Sequence, residues 1–143
     1  MTAKEYLLRA REIEYQIKAD MLEACRLRAL AEKATGTFAA TRVSGTSQRS
    51  KVEDAALELC ALDDIIAAEI HDLVRAKNEI RETISSLSNP VERNVLRLRY
   101  LCGKKWEEIA VDTNYSWRQV HYIHGAALKN IAHYCTLLHI NMC

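Results

Sequence analysis

Four side chains able to meet nucleic-acid bases fall within six residues: Trp117, Arg118, His121 and Tyr122. A guanidinium fork matches guanine O6 and N7, an imidazole or phenol donates to a base acceptor, and an indole packs on a thymine methyl. Each bidentate contact of this kind discriminates by about 1–3 kcal/mol. Lys104, Lys105 and Lys129, with Ser116 and Gln119 at the helix start, suit phosphate oxygens, which fix register without reading sequence. Trp117 has a second possible use, folding back on the preceding helix, while Trp106 and Tyr115 are expected in the core.

Other chemistries find less support. Cys135, His139 and Cys143 stand at four-residue steps with His133 nearby, but three ligands on one short terminal helix do not close a tetrahedral zinc site, so no metal is expected. No Cys or Ser sits in a recognisable turn with a base, and there is no Gly-rich phosphate loop. An enzyme is therefore not expected, nor a cofactor.

The base-reading residues need a helix whose other side is anchored. Ser116 and Gln119 form a capping box that opens such a helix, and Val120, Ile123, Ala127 and Ile131 recur along it every three or four residues. With these inward, Trp117, Arg118, His121 and Tyr122 are expected to point outward, with His124 further along. Before the helix, Asn114 is the residue able to take the left-handed conformation of a tight turn, and Ala110 is small enough for two helices to cross closely. The spacing predicts a helix-turn-helix, the second helix reaching about Leu138. Upstream, Asn89-Pro90-Val91-Glu92 predicts a capped start, with Glu92 closing a capping box, for a helix that ends at Gly103. A short helix from Lys105 or Trp106 to Asp112 follows.

The first half is of another kind. Ala3, Tyr6, Ala10, Ile13, Ile17, Ala24, Leu27 and Ala31 make a seam broken only by Asp20, which predicts a helix of about 50 Å. A second seam runs from Val52 through Ile66, Ile70 and Leu73 to Leu87. Between them, Thr35 to Lys51 is rich in Gly, Ser and Thr and is expected to be a long loop, either a connector or a basic arm that reaches a phosphate backbone. Two similar helices around one loop predict an antiparallel, coiled-coil-like hairpin that oligomerises, with a dimer expected.

Composition agrees with an all-α chain: one Pro and four Gly in 143 residues. The formal net charge is +1, so DNA binding cannot rest on the total; the distribution is uneven. From Asn89 onward there are seven Lys/Arg against four Asp/Glu, whereas Val52 to Ser88 holds nine acids against three bases. Five scattered cysteines without a C-x-x-C favour reduced thiols, and neither a signal core nor a membrane span is read, so the cytosol is the expected location.

The segments Arg97 to Ala110 and Ser116 to Lys129 resemble region 4 of sigma-70 family factors, and the whole chain resembles a small phage and prophage protein family of uncharacterised function, similar to phage late-gene transcription regulators. The resemblance implies major-groove binding by the helix that begins at Ser116, a promoter element as target, and contact with RNA polymerase. Lys104-Lys105 stands where such modules often have a Ser or Thr cap, and Trp117 and Tyr122 replace the charged or amide residues common in sigma factors. The sigma target sequence is therefore not carried over. No aromatic-rich melting segment is found, so a stand-alone sigma factor is not expected. The reading is an N-terminal hairpin over 1–88 and a three-helix, region 4-like DNA-binding module over 89–143, acting in transcription of phage or prophage genes. A DNA-packaging protein like a small terminase subunit and a protein-binding adaptor without DNA affinity are the alternatives.

Overall fold

The computed structural model describes the backbone of residues 1–40 and 46–137 and the side chains of residues 1–33 and 51–137. Five helices follow one another with no strand among the described residues: α1 (Ala3–Ala40), α2 (Thr46–Ser85), α3 (Pro90–Leu96), α4 (Trp106–Thr113) and α5 (Trp117–Leu137). A π-helical turn, Arg97–Leu101, extends α3. No helix among the described residues is long and apolar enough to cross a membrane.

The long loop expected from Thr35 to Lys51 is largely helical: α1 runs on to Ala40 and α2 already begins at Thr46. Once a helix is nucleated, each added residue gains a hydrogen bond without repaying the nucleus. Gly36 costs about 1 kcal/mol relative to Ala, and the alanines at 34, 39 and 40 favour continuation. Residues 41–45 lie outside the described backbone, and the phosphate-reaching arm falls largely outside the described side chains. The start of α1 carries a capping box that the sequence reading passed over. Glu5 accepts the Thr2 N–H at 2.7 Å and Thr2 Oγ1 accepts the Glu5 N–H at 3.2 Å. The Thr2 N–H, and after it the Thr2 hydroxyl, hold the Glu5 carboxyl below its usual range.

The described chain forms two compact units, residues 1–13 with 73–143, and residues 14–72. The core of the first joins Leu7 and Ala10 of α1 to Ile80 and Ile84 of α2, Leu96 and Tyr100 around the π-helical turn, and Ile131 of α5. Burying an aliphatic side chain of this size contributes about 1.5–3 kcal/mol. Tyr6 and Thr83 hydroxyls meet at 3.2 Å, and Arg9 pairs with Glu79. A smaller cluster of Val95, Ile109 and Val120 holds α3, α4 and α5 together.

In the second unit, Ile17 and Ala24 of α1 are buried, while Ala55, Leu59, Leu62 and Ile66 of α2 are half-buried. The next place in that α2 series goes to Glu69. Ile70, expected there, is 46 % exposed. A seam that alternates steps of three and four steps from 66 to 69. Glu69 thereby meets Asp20, the residue that interrupts the α1 seam, and its carboxyl is held above the usual range, first by burial and then by the Asp20 charge.

Candidate nucleic-acid interface

Three local devices fix the start of α5. Asn114 takes φ 56° and ψ 26°, the left-handed conformation expected of it, and ends α4. Ser116 Oγ accepts the Gln119 N–H at 3.2 Å, and Gln119 Oε1 accepts the Ser116 N–H at 3.0 Å, so the predicted capping box is formed. Val120 then anchors the first turn in the cluster with Val95 and Ile109.

The elements before α5 are held as firmly. Asn89 Oδ1 accepts the Val91 N–H at 2.9 Å, with Pro90 at the first helical position. Glu92 does not face back towards this cap as expected. It is buried and accepts a hydrogen bond from Asn130 Nδ2 at 2.9 Å, tying α3 to α5. At the far end Gly103 has φ +70°, the left-handed residue predicted to stop this helix. The π-helical turn closes with the Cys102 N–H on the Arg97 carbonyl and the Lys104 N–H on the Leu98 carbonyl, both at 3.0 Å. For α4, Lys105 has no acceptor to offer as a cap. Glu108 makes half of a box by accepting the Lys105 N–H at 2.7 Å.

These anchors turn one face of α5 to solvent. Arg118, Tyr122 and Lys129 are exposed, Tyr122 at 79 %. At about 100° per residue, they share an arc of roughly 40°. Val120, Ala127 and Ile131 are wholly buried on the other side.

The two histidines lie elsewhere than expected. His121 is half-buried rather than outward, its ring 4.5 Å from that of Trp106 and 4.0 Å from that of Trp117. Its Nε2 is buried without a hydrogen-bond partner. The reason is its place on α5, between the buried side and the exposed arc, where two indoles close over it. His124 is buried, edge-on to Trp106 at 4.7 Å, with Nε2 2.8 Å from the Tyr100 hydroxyl. Burial, with lesser contributions from His121, Lys4 and Arg99, lowers His124 to about 4. Burial raises Tyr100 to about 12. Tyr100 therefore keeps its proton beside a neutral imidazole, and the direction of the hydrogen bond between them follows the imidazole tautomer.

Trp117 lies with its ring 4.0 Å from that of His121 on its own helix, and the residue is 55 % exposed. Trp106 is half-buried as a packing residue, with the Arg99 guanidinium 4.5 Å from its ring. Tyr115 is exposed rather than in the core. Arg99 and Tyr100, which the sequence does not single out, thus join Trp106 in a support behind α5. Tyr100 and His124 are 24 residues apart, and no local period signals such a pair.

The phosphate candidates divide. Lys105 and Lys129 are exposed. Lys104 is ion-paired with Asp112, which raises its pKa first through that hydrogen bond. The Ser116 hydroxyl and the Gln119 carbonyl oxygen are engaged in the capping box. Of the metal candidates, Cys135 is buried, while His139 and Cys143 lie outside the described residues.

Among known proteins, the family model described as Protein of unknown function (DUF1492) matches residues 33–132. Neither the curated proteins nor the solved structures contain a match.

Proposed function

We propose that this chain, which belongs to the DUF1492 family, binds double-stranded DNA sequence-specifically and regulates transcription of phage or prophage genes. In this reading α4, the Asn114 turn and α5 are a helix-turn-helix resembling sigma-70 region 4, and α1 and α2 are an antiparallel hairpin through which copies of the chain associate. The observation that carries it is the face of α5: Arg118, Tyr122 and Lys129 are presented together on a helix anchored along its opposite side. The N-terminal residues of such a helix meet base edges. Arg118 pairs with guanine, Tyr122 and Trp117 contact neighbouring bases, and His121 contributes by holding the Trp117 ring. Lys105 and Lys129 meet phosphates.

The outer face of α4 suits a protein better than DNA. Glu107, Glu108, Val111 and Asp112 line a shallow groove there with Lys104, and Val111 is 76 % exposed. An acidic face repels phosphates, so contact with RNA polymerase is assigned to it in this proposal. The same groove supports the second reading, an adaptor that binds protein and not DNA.

Selection from a random duplex pool tests the proposal. The natural protein should enrich one motif, and Arg118→Ala should relax one position of it at a cost of about 1–3 kcal/mol. Lys129→Ala should weaken all sequences alike and lower the salt dependence by about one phosphate contact. A folded protein that enriches no motif at low salt gives the adaptor reading precedence.

A further inference from the structure

Within residues 14–72, large apolar side chains stand exposed away from the seam. Leu22 and Leu57 are each 69 % exposed, Leu30 59 % and Ile65 51 %. Exposed apolar side chains gathered on long helices in this way mark a surface that another surface covers. We infer that the outer stripe of α1 receives the outer stripe of α2 from a second copy of this chain.

The two stripes match in spacing and in charge. Leu22 and Leu30 are eight residues apart, as are Leu57 and Ile65, which on a helix is about 12 Å in both cases. Midway between the leucines of α1 stands Arg26, in a groove it lines with Ala19, Leu22, Glu23, Leu27 and Leu30. Midway between Leu57 and Ile65 stands Ala61, small enough to leave room for an arginine stem, with Glu58 and Asp64 beside it to meet the guanidinium. From Glu53 to Asp72 there is no Lys or Arg, so α2 offers acids alone to a basic partner. A second α1 supplies that base at the matching spacing. The contact joins unlike faces, so a twofold pair makes it twice and a ring passes it from copy to copy.

This inference deepens the association part of the function proposed above and is independent of the DNA part. Light scattering on the full chain without nucleic acid tests it. The natural protein should have a mass at least twice the 16.3 kDa of one chain. Leu22→Asp and Leu57→Asp should each reduce it to one chain with helicity unchanged, since both side chains are exposed. Arg26→Glu should lower the mass, and Arg26→Glu combined with Asp64→Lys should restore it, which a mere loss of folding would not allow. A natural protein of one-chain mass overturns the inference, and so does a Leu57→Asp protein that keeps the natural mass or a double variant that fails to regain it. A chain that binds DNA as a monomer leaves the DNA reading standing and removes this one. A chain that associates and is rescued as described, yet binds no DNA, does the reverse.

Discussion

The same two helices behave differently along their length. In the unit made of residues 1–13 and 73–143, Leu7, Ile80 and Ile84 have no exposure left, because the residues after Leu87 supply further walls, from Leu96 and Tyr100 to Ile131 and Cys135. Among the described residues of the unit 14–72, Ile17 and Ala24 of α1 are buried, and the seam of α2 is half-buried. Two helices facing each other bury one stripe apiece and leave the rest to water, whereas added elements convert the remaining stripes into core. Sequence periodicity runs through both units, interrupted in the second by Asp20 and Glu69. The presence of third and fourth walls makes the difference.

The largest test of that contrast is truncation in each unit. Ile80→Ala should cost about 2–5 kcal/mol in urea unfolding, because a wholly buried side chain leaves a cavity. Leu57→Ala, which removes an exposed side chain of similar size, should stay within about 0.5 kcal/mol in a monomeric chain. Equal losses would erase the distinction between the units. Next in size is the turn before α5. Asn114→Ala should cost about 1 kcal/mol, because Ala lacks the short polar side chain whose local hydrogen bonding makes the left-handed conformation tolerable for Asn, and Asn114→Gly, which has no Cβ to strain there, should cost far less.

Acid should separate the units by sign. His124, lowered to about 4, is neutral in the folded chain while its unfolded form protonates near 6.5. The unfolded state therefore binds more protons between those values, and the first unit loses stability as pH falls through that window. A loss of about 1 kcal/mol from pH 7 to pH 5 is expected after allowing for solvent screening. Glu69 runs the other way. Its raised value means that the folded second unit takes up a proton before the unfolded chain does, so acidification relieves the repulsion with Asp20. Hydrogen exchange at the two pH values should show faster opening of α5 and none of that loss around Asp20 and Glu69. His124→Gln should abolish the acid sensitivity of α5. If it persists in that variant, His124 is not its source.

What the sequence made legible is local. Asn89, Gly103, Asn114 and the Ser116–Gln119 box were all readable, because a cap or a left-handed turn is decided within a few residues and few residue types satisfy it. The inward face of α5 was readable from its period. The ends of the long helices were not, because Gly, Ser and Thr weaken a helix without forbidding it when it is already running. His121 and His124 were misplaced for a different reason. Whether a histidine on the margin of a helix faces water depends on what Trp106 and Tyr100 do across the interface, and no spacing within α5 encodes that. Glu69 was missed because Ile70 is the more apolar neighbour, yet the seam's own repeat decides which of the two turns inward.

The smallest expected effect concerns Lys104. Its exposed pairing with Asp112 is screened by solvent and contributes little to folding, so Lys104→Ala is nearly silent in unfolding experiments. Its consequence for binding is larger in kind. While Asp112 holds the ammonium, a phosphate must compete with a carboxylate for it. Asp112→Asn should therefore strengthen binding to duplexes of every sequence at low salt, and the salt slope should steepen by about 0.9 if one phosphate contact is gained. Adding Lys104→Ala to that variant should cancel the gain. If Asp112→Asn strengthens binding just as much without Lys104, the effect is the general loss of a negative charge near the groove of α4. Lys104 then belongs with the residues that build the support behind α5 and not with Lys105 and Lys129 on the phosphate side.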